Sequence, residues 1–75
     1  MVFDRLKEII CDEMEIPYDE FTLESNIRED FDLDSLDMVD IIMDIEDEFG
    51  VEISEDTIDG LVTVKDVVEF IEANQ

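Results

Sequence analysis

Residues 35–50 decide the fold, and they read SLDMVDIIMDIEDEFG. Five apolar side chains in this stretch follow the helical spacing i, i+3, i+4, i+7 and i+11, and they are Met38, Ile41, Ile42, Ile45 and Phe49. This spacing places them on one side of an α-helix, where they form a broad face that must be buried. Gly50 follows as a residue suited to ending a helix. The stretch therefore predicts a helix over Ser35 to Phe49.

The residues before this helix divide into a first helix and a long loop. Val2 to Met14 carries apolar side chains at helical spacing, and Pro17 soon afterwards blocks its continuation. We expect Cys11 to pack at the edge of the apolar face of this first helix. From about Tyr18 to Asp34 the apolar anchors have no steady period, which predicts an irregular loop. A loop of this length in so small a domain is often functional.

The residues after Gly50 predict two more helices. We expect a short helix from about Ser54 to Asp59, capped by Ser54 and stopped by Gly60, rather than a hairpin of the β-branched segments that flank it. Thr63 and Asp66 resemble a capping box at the start of a closing helix. The predicted fold is all-α, a small helical bundle of three longer helices and one short helix, with a long loop between the first and second. We expect residues 1–75 to form a single domain.

Charge limits the partners that this chain can have. It holds 25 acidic residues against 4 basic ones, for a net charge of -21. Such a chain repels phosphate backbones and anionic lipid surfaces, so no nucleic-acid partner is expected and proteins with basic patches are. Its apolar runs are too short to span a membrane, and charged residues interrupt the N-terminal one, so no signal peptide is expected. With a single cysteine no internal disulfide forms, and we expect a cytoplasmic monomer.

The helix over residues 35–49 carries a second apolar stripe. Leu36, Val39 and Met43 share one side of it, turned away from the face that contains Ile41 and Ile45. Acidic residues surround this stripe. An apolar spot ringed by acids is typical of a protein-docking surface, provided that it is exposed. The alternative is that the stripe packs on the long loop, above all at Leu36.

Ser35 is the candidate reactive residue. A serine nucleophile needs a general base, and the chain has no histidine, so self-contained Ser-His catalysis is excluded. Lys7 and Lys65 lie in no recognisable catalytic motif, and we do not expect an enzyme. The plain alternative for Ser35 is a helix cap. Asp30, Asp32 and Asp34 match the first three ligand positions of a calcium-binding EF-hand loop. Ser35 then stands where that loop requires glycine, and Ile41 where it requires a bidentate glutamate, so no dedicated metal site is expected.

Residues 30–37 read DFDLDSLD, and this run resembles the modification site of acyl carrier proteins. The resemblance extends to chain length, acidity, helix order and the acidic end of the second helix. It implies that Ser35 receives 4′-phosphopantetheine from coenzyme A through a separate phosphopantetheinyl transferase. The thiol of that arm would hold acyl groups as thioesters. The implied function is a non-catalytic carrier that shuttles intermediates between the enzymes of fatty-acid biosynthesis.

The resemblance also implies which residues meet the partner enzymes. Basic docking patches on acyl-processing enzymes would contact the acids and the stripe of the second helix, namely Asp34, Leu36, Asp37, Val39, Asp40, Met43, Glu46 and Asp47. Acyl chains would fold back into the helical core. The sequence departs from the family at Phe31 and Asp32, where leucine and glycine are usual. This departure adds a charge and leaves the geometry of the turn before Ser35 open.

Two other functions remain open from the sequence. One keeps the chemistry and changes the pathway, so that the chain carries polyketide or aminoacyl intermediates. The other is an acidic interaction or metal-binding module without a prosthetic group, in which Ser35 only caps its helix. Since the chain begins at Met1 and ends soon after its last helix, we expect a free-standing carrier.

Overall fold

The computed structural model describes residues 2–75, and four α-helices account for most of them. They are α1 (Val2–Met14), α2 (Ser35–Phe49), α3 (Glu55–Gly60) and α4 (Val64–Asn74), with a 3₁₀ turn at Tyr18–Glu20 between α1 and α2. Within residues 2–75 the only β pairing is an isolated bridge between Asn26 and Thr63. The predicted all-α bundle of three longer helices and one short helix is confirmed. The hairpin alternative for the region around α3 is wrong.

Three of the helices begin at a side chain that satisfies free backbone N–H groups. The capping residues are Asp34, Ser54 and Thr63, which accept hydrogen bonds from the backbone N–H groups of residues 37, 57 and 66. The caps of α2 and α4 are reciprocal capping boxes, so the predicted capping box at Thr63 is confirmed. Gly60, the predicted stop of the short helix, is its last residue, and the chain leaves the helix at Leu61.

The ends of α1 and α2 use left-handed backbone geometry. Gly50 has a φ of +66°, and its N–H donates to the carbonyl of Glu46 at 2.9 Å, so the predicted end of α2 is confirmed. Glu15 takes the same place after α1 with a φ of +56°. There the N–H of Ile16 donates to the carbonyl of Cys11 at 3.0 Å and closes the turn. A side chain in this region costs about 1 kcal/mol relative to the right-handed region.

One apolar core joins α1, α2, α4 and the two longest connections. Its buried side chains are Leu6, Ile10, Cys11, Phe21, Ile27, Met38, Ile41, Ile42, Ile45, Val51, Ile53, Val64, Val67, Val68 and Ile71. The predicted core face of α2 is thus buried over most of its length, with Phe49 half-buried at its end. Each large apolar side chain that is removed from water contributes about 1.5–3 kcal/mol. Burial also raises the pKa of the Cys11 thiol.

The loop between α1 and α2 is anchored to this core. Phe21 is buried and stacks on Phe31 with ring centroids 5.7 Å apart. Three backbone hydrogen bonds of 2.9–3.1 Å tie the loop to the start of α4, from Ile27 to Val62, from Val64 to Ser25 and from Lys65 to Leu23. The backbone that leads to Ser35 is therefore held in place before α2 begins.

Candidate functional site

Ser35 is the first residue of α2, and its side chain is exposed. The capping place before it belongs to Asp34, whose Oδ1 accepts from the N–H of Asp37 at 2.9 Å. Asp37 in turn accepts from the N–H of Asp34 at 3.3 Å. Within residues 2–75 the Ser35 hydroxyl has no hydrogen-bond partner. The alternative in which Ser35 only caps the helix is therefore wrong, because Asp34 does so.

The other two serines have structural roles. Ser25 is buried, and its Oγ accepts from the N–H of Thr22 at 3.1 Å and donates to the carbonyl of Glu20 at 3.2 Å. Ser54 caps α3. Of the three serines, only Ser35 has a hydroxyl that is both exposed and without a hydrogen bond to residues 2–75.

The turn before Ser35 has left-handed geometry at Asp32, whose φ is +54°. The N–H of Leu33 donates to the carbonyl of Arg28 at 3.0 Å and closes this turn as the turn after α1 is closed. The resemblance to acyl carrier proteins leads us to expect glycine at this position. The turn thus has the backbone conformation that glycine favours, although aspartate occupies it. This settles the geometry that the sequence left open.

An open cavity of about 330 Å³ lies beside Ser35, between α2 and α3. Its apolar lining consists of Met38, Val39, Ile42 and Ile58, and its charged lining of Arg28, Glu55 and Asp59. Met38 and Ile42 also belong to the core, so the cavity leads from the surface at Ser35 toward the interior. A flexible group attached to Ser35 would have an apolar wall next to it.

The second stripe of α2 is open to solvent. The exposed fractions are 75% for Leu36, 53% for Val39 and 57% for Met43. The alternative in which the long loop covers Leu36 is therefore wrong. Three neighbouring apolar side chains with this exposure on one helix form a surface that a partner could cover.

The acids predicted to dock partners differ in their own hydrogen bonds. Glu46 is half-buried, and its Oε2 accepts from the N–H of Ile53 at 2.9 Å, so it also fixes the connection between α2 and α3. Two acids, at positions 34 and 37, form the capping box of α2. Asp40 and Asp47 are exposed and make no hydrogen bond to residues 2–75.

Arg5 links α1 to the end of α2. It donates to Glu8 and to Glu48, at 2.8 Å in each case. The hydrogen bond from Arg5 holds the pKa of the Glu48 carboxyl below its usual value. Both ion pairs are open to solvent, so added salt should weaken them.

The carboxyl groups of Glu13 on α1 and Asp44 on α2 lie close together. They line a cavity of about 520 Å³ between α1 and α2. The pKa of Glu13 is raised to about 7, first because its carboxyl shares a hydrogen bond with that of Asp44, and then because of slight desolvation and repulsion from Asp44 and Asp40. Glu13 can make this hydrogen bond only while one of the two groups is protonated.

Two of the three acids that suggested an incomplete calcium loop, Asp30 and Asp34, have other partners. Asp30 accepts from the N–H of Asn26 at 2.7 Å, and Asp34 belongs to the capping box of α2. Within residues 2–75, no three histidine, cysteine, aspartate or glutamate side chains are grouped so that they could hold a metal ion.

Comparison with known proteins identifies the family. The family described as "Phosphopantetheine attachment site" matches residues 4–71. The acyl carrier protein of Clostridium perfringens is 47% identical over 70 residues, which span 93% of this chain and 92% of the relative. The chain belongs to the acyl carrier protein family. The carrier's fold matches that of the acyl carrier protein from Enterococcus faecalis with a TM-score of 0.85 at 32% identity, covering 99% of this chain and 94% of the other.

This membership confirms the predicted carrier role and its cofactor, 4′-phosphopantetheine, which is attached covalently. The chain is a carrier of acyl groups, and the alternative of a module without a prosthetic group is wrong. The residues at the start of α2 fit the cofactor, because an exposed hydroxyl without a hydrogen bond lies at a helix N-terminus, which favours an attached phosphate. Among residues 2–75, no helix has both the length and the apolar character to cross a membrane.

Two features of the structure have no signal in the sequence. They are the position of Arg28 on the cavity beside Ser35 and the approach of Glu13 to Asp44. Each joins residues from different elements, and the spacing along one helix carries no information about such an approach.

Proposed function

We propose that Ser35 is the attachment point for the 4′-phosphopantetheine arm. The observation that carries this proposal is the exposed hydroxyl of Ser35, which lies at the first residue of α2 while Asp34 does the capping. The arm would be joined to Ser35 Oγ through a phosphodiester. The chain has no histidine to act as general base, and we expect a separate transferase to take the proton of the serine.

The carrier's own residues would orient and shelter what the arm holds. When bound, the group supplies a terminal thiol on which acyl groups are held as thioesters. The first turn of α2 directs free N–H groups toward the phosphate. Met38, Ile42 and Ile58 line the cavity into which an acyl chain would fold. Each CH₂ group that is buried there contributes about 0.8 kcal/mol, so longer chains should bind the cavity more tightly.

Intact mass tests the attachment. After incubation with coenzyme A and a phosphopantetheinyl transferase, the wild-type carrier should gain the mass of one arm. Ser35→Ala should gain nothing and should keep its helical circular dichroism, because Asp34 still caps α2. Ser54→Ala is the matched control and should be modified as the wild type is. A mass gain that persists in Ser35→Ala would contradict the assignment.

We also propose that α2 presents the docking surface for the transferase and for acyl-processing enzymes with basic patches. The surface comprises Asp34, Leu36, Asp37, Val39, Asp40, Met43, Glu46 and Asp47. The exposure of the stripe and the free carboxylates of Asp40 and Asp47 support it. Charge should mainly set the rate of association, whereas apolar contact should mainly set the rate of release.

Two substitutions separate these contributions. Asp40→Lys should slow association with the transferase, and more so at low salt, because it reverses a steering charge. Met43→Ala should speed dissociation with little effect on association. Glu69→Lys makes the same charge change on α4 and serves as the control. If Asp40→Lys behaves as Glu69→Lys does and Met43→Ala leaves dissociation unchanged, the docking surface lies elsewhere.

We assign the carrier to fatty-acid biosynthesis, acting as one domain over residues 1–75. The apolar lining of the cavity beside Ser35 supports this, because it suits an unsubstituted alkyl chain. The test is mass spectrometry of the thioesters on the carrier isolated from its natural source. Fatty acyl groups are expected, and polyketide or aminoacyl groups would contradict the assignment. The cytoplasmic location and the monomeric state stay predictions.

A further inference from the structure

Only one of the four cations in the sequence lies beside the proposed attachment point. Arg28 lines the cavity that Ser35 also lines. Of the other three, Arg5 pairs with Glu8 and Glu48. The ammonium of Lys7 lies 5.7 Å from the ring centroids of Phe3 and Tyr18. Lys65 lies on α4. In a chain with a net charge of -21, the Arg28 guanidinium is thus a rare positive charge beside Ser35.

The backbone of Arg28 is fixed by the turn that leads into α2. Its carbonyl accepts from the N–H of Leu33 at 3.0 Å, and its own N–H donates to Oδ1 of Asn26 at 3.1 Å. The left-handed residue Asp32 completes the turn. Within residues 2–75 both ion pairs shorter than 4 Å belong to Arg5, so the Arg28 guanidinium has no such pair. Because its backbone is fixed and its guanidinium makes no ion pair within residues 2–75, Arg28 is suited to bind an anion.

The arm would bring an anion to this place. Its phosphodiester carries one negative charge and would lie at the first turn of α2, where Asp34 and Asp37 are already present. The helix N-terminus offsets part of the repulsion. A guanidinium offers two parallel N–H donors that match the two free oxygens of a phosphodiester, and a charge-assisted pair of this kind is stronger than a neutral hydrogen bond.

We propose that Arg28 binds the phosphodiester that links the 4′-phosphopantetheine arm to Ser35. This inference rests on the proposed attachment at Ser35. The contact holds the first atoms of the arm at the mouth of the cavity, above Met38 and Ile42. Arg28 is thereby a positioning residue, which directs the arm toward the apolar lining and away from the acids of α2.

NMR of the intact carrier, before and after attachment of the arm, tests the contact. Exchange of the Arg28 Nε–H proton with solvent should slow by about two- to fivefold when the arm is attached, as expected for an exposed charge-assisted pair. The ³¹P resonance of the phosphodiester should shift in Arg28→Gln relative to the wild type, and should not shift in Lys65→Gln. Arg28→Lys keeps the charge without the fork and should give an intermediate shift.

The outcomes separate this proposal from the one that it rests on. An arm that intact mass places on Ser35, with Nε–H exchange equal in both forms and no ³¹P shift in Arg28→Gln, overturns the role of Arg28 alone. In that case Glu55 or Asp59, which line the same cavity, would hold the guanidinium in both forms. An arm attached at another residue overturns both proposals.

Discussion

Asp32→Gly measures the strain in the turn that leads to Ser35. Asp32 has a φ of +54°, which glycine adopts at little cost and which L side chains adopt rarely. Its conformation is imposed by the hydrogen bond from Leu33 to Arg28 across the turn. The side chain makes no hydrogen bond within residues 2–75 that the substitution would remove. We expect the glycine variant to be more stable than the wild type.

The expected gain follows from three contributions. A side chain in the left-handed region costs about 1–2 kcal/mol, and aspartate lies at the low end of this range. Glycine lowers the free energy of unfolding by about 0.5 kcal/mol, because it gives the unfolded chain more conformational freedom. This loss offsets part of the gain. Removing one charge from a chain with a net charge of -21 adds a small gain. The sum is about 0.5–1 kcal/mol, which for 75 residues raises the melting temperature by about 3–6 °C.

Urea unfolding followed by far-UV circular dichroism measures the difference. Asp32→Asn removes the charge but keeps a side chain that tolerates the left-handed region, so it should change stability little. Asp32→Ala removes the charge and keeps the strain, so it should not stabilise. Glu15→Gly repeats the experiment after α1, where φ is +56°, and should give at least the same gain. Equal stabilities for Asp32→Gly and Asp32→Asn would refute the reasoning, because charge alone would then explain the effect.

The remaining predictions concern pH, salt and capping. Glu13 keeps its proton in the folded state up to a pKa of about 7, against an ordinary value of 4.5. Its contribution to the free energy of unfolding should therefore be full below pH 4.5 and lost as pH rises through 7. The loss should be about 1 kcal/mol after allowance for exposure. Urea titrations at several pH values should show that this fall in stability with pH is smaller in Glu13→Gln. Arg5→Gln should lower the melting temperature at low salt and less at high salt, because its pair with Glu48 is exposed. Thr63→Val should cost about 1 kcal/mol in urea unfolding, because it removes the cap of α4.

Each of these has an outcome that would contradict it. The carboxyl pair is absent if Glu13→Gln has the same slope with pH as the wild type. A loss in Arg5→Gln that does not change with salt would mean that its aliphatic stem, not its charge, joins the helices. A Thr63→Val variant as stable as the wild type would show that the N-terminus of α4 needs no side-chain cap.

The bounds of α2 were predictable from sequence because every signal for them is local. The apolar spacing from Met38 to Phe49 and the glycine at position 50 lie within the helix or next to it. The same holds for the caps Ser54 and Thr63. The conformation of Asp32 was not predictable, because it depends on a turn closed by residues five apart in an irregular loop.

The site was predictable in part for the same reason. Ser35 and the exposed stripe of α2 share one helix, so the helical period places them. Residues that approach α2 from other parts of the chain were not predictable in this way. Examples are Arg28, which lies beside Ser35, and Glu13, which lies beside Asp44. The approach of Glu13 to Asp44 depends on how α1 packs against α2, and that of Arg28 depends on the path of the loop before α2.

The acidity that suits the carrier to its partners has opposite effects on stability at two kinds of position. Asp66 accepts from backbone N–H groups at the start of α4, which lowers its pKa, so its contribution is lost only as pH falls below the ordinary value of 3.8. Glu48 behaves in the same way about its ordinary value of 4.5, through Arg5. Glu13 has the opposite sign and loses its contribution as pH rises toward 7. Taken together, these three groups should favour the folded state most near pH 4.5, close to the pI of about 4.1, where net charge and solubility are lowest. At neutral pH the carrier bears most of its negative charge, and these three groups then stabilise the fold less than they do near pH 4.5.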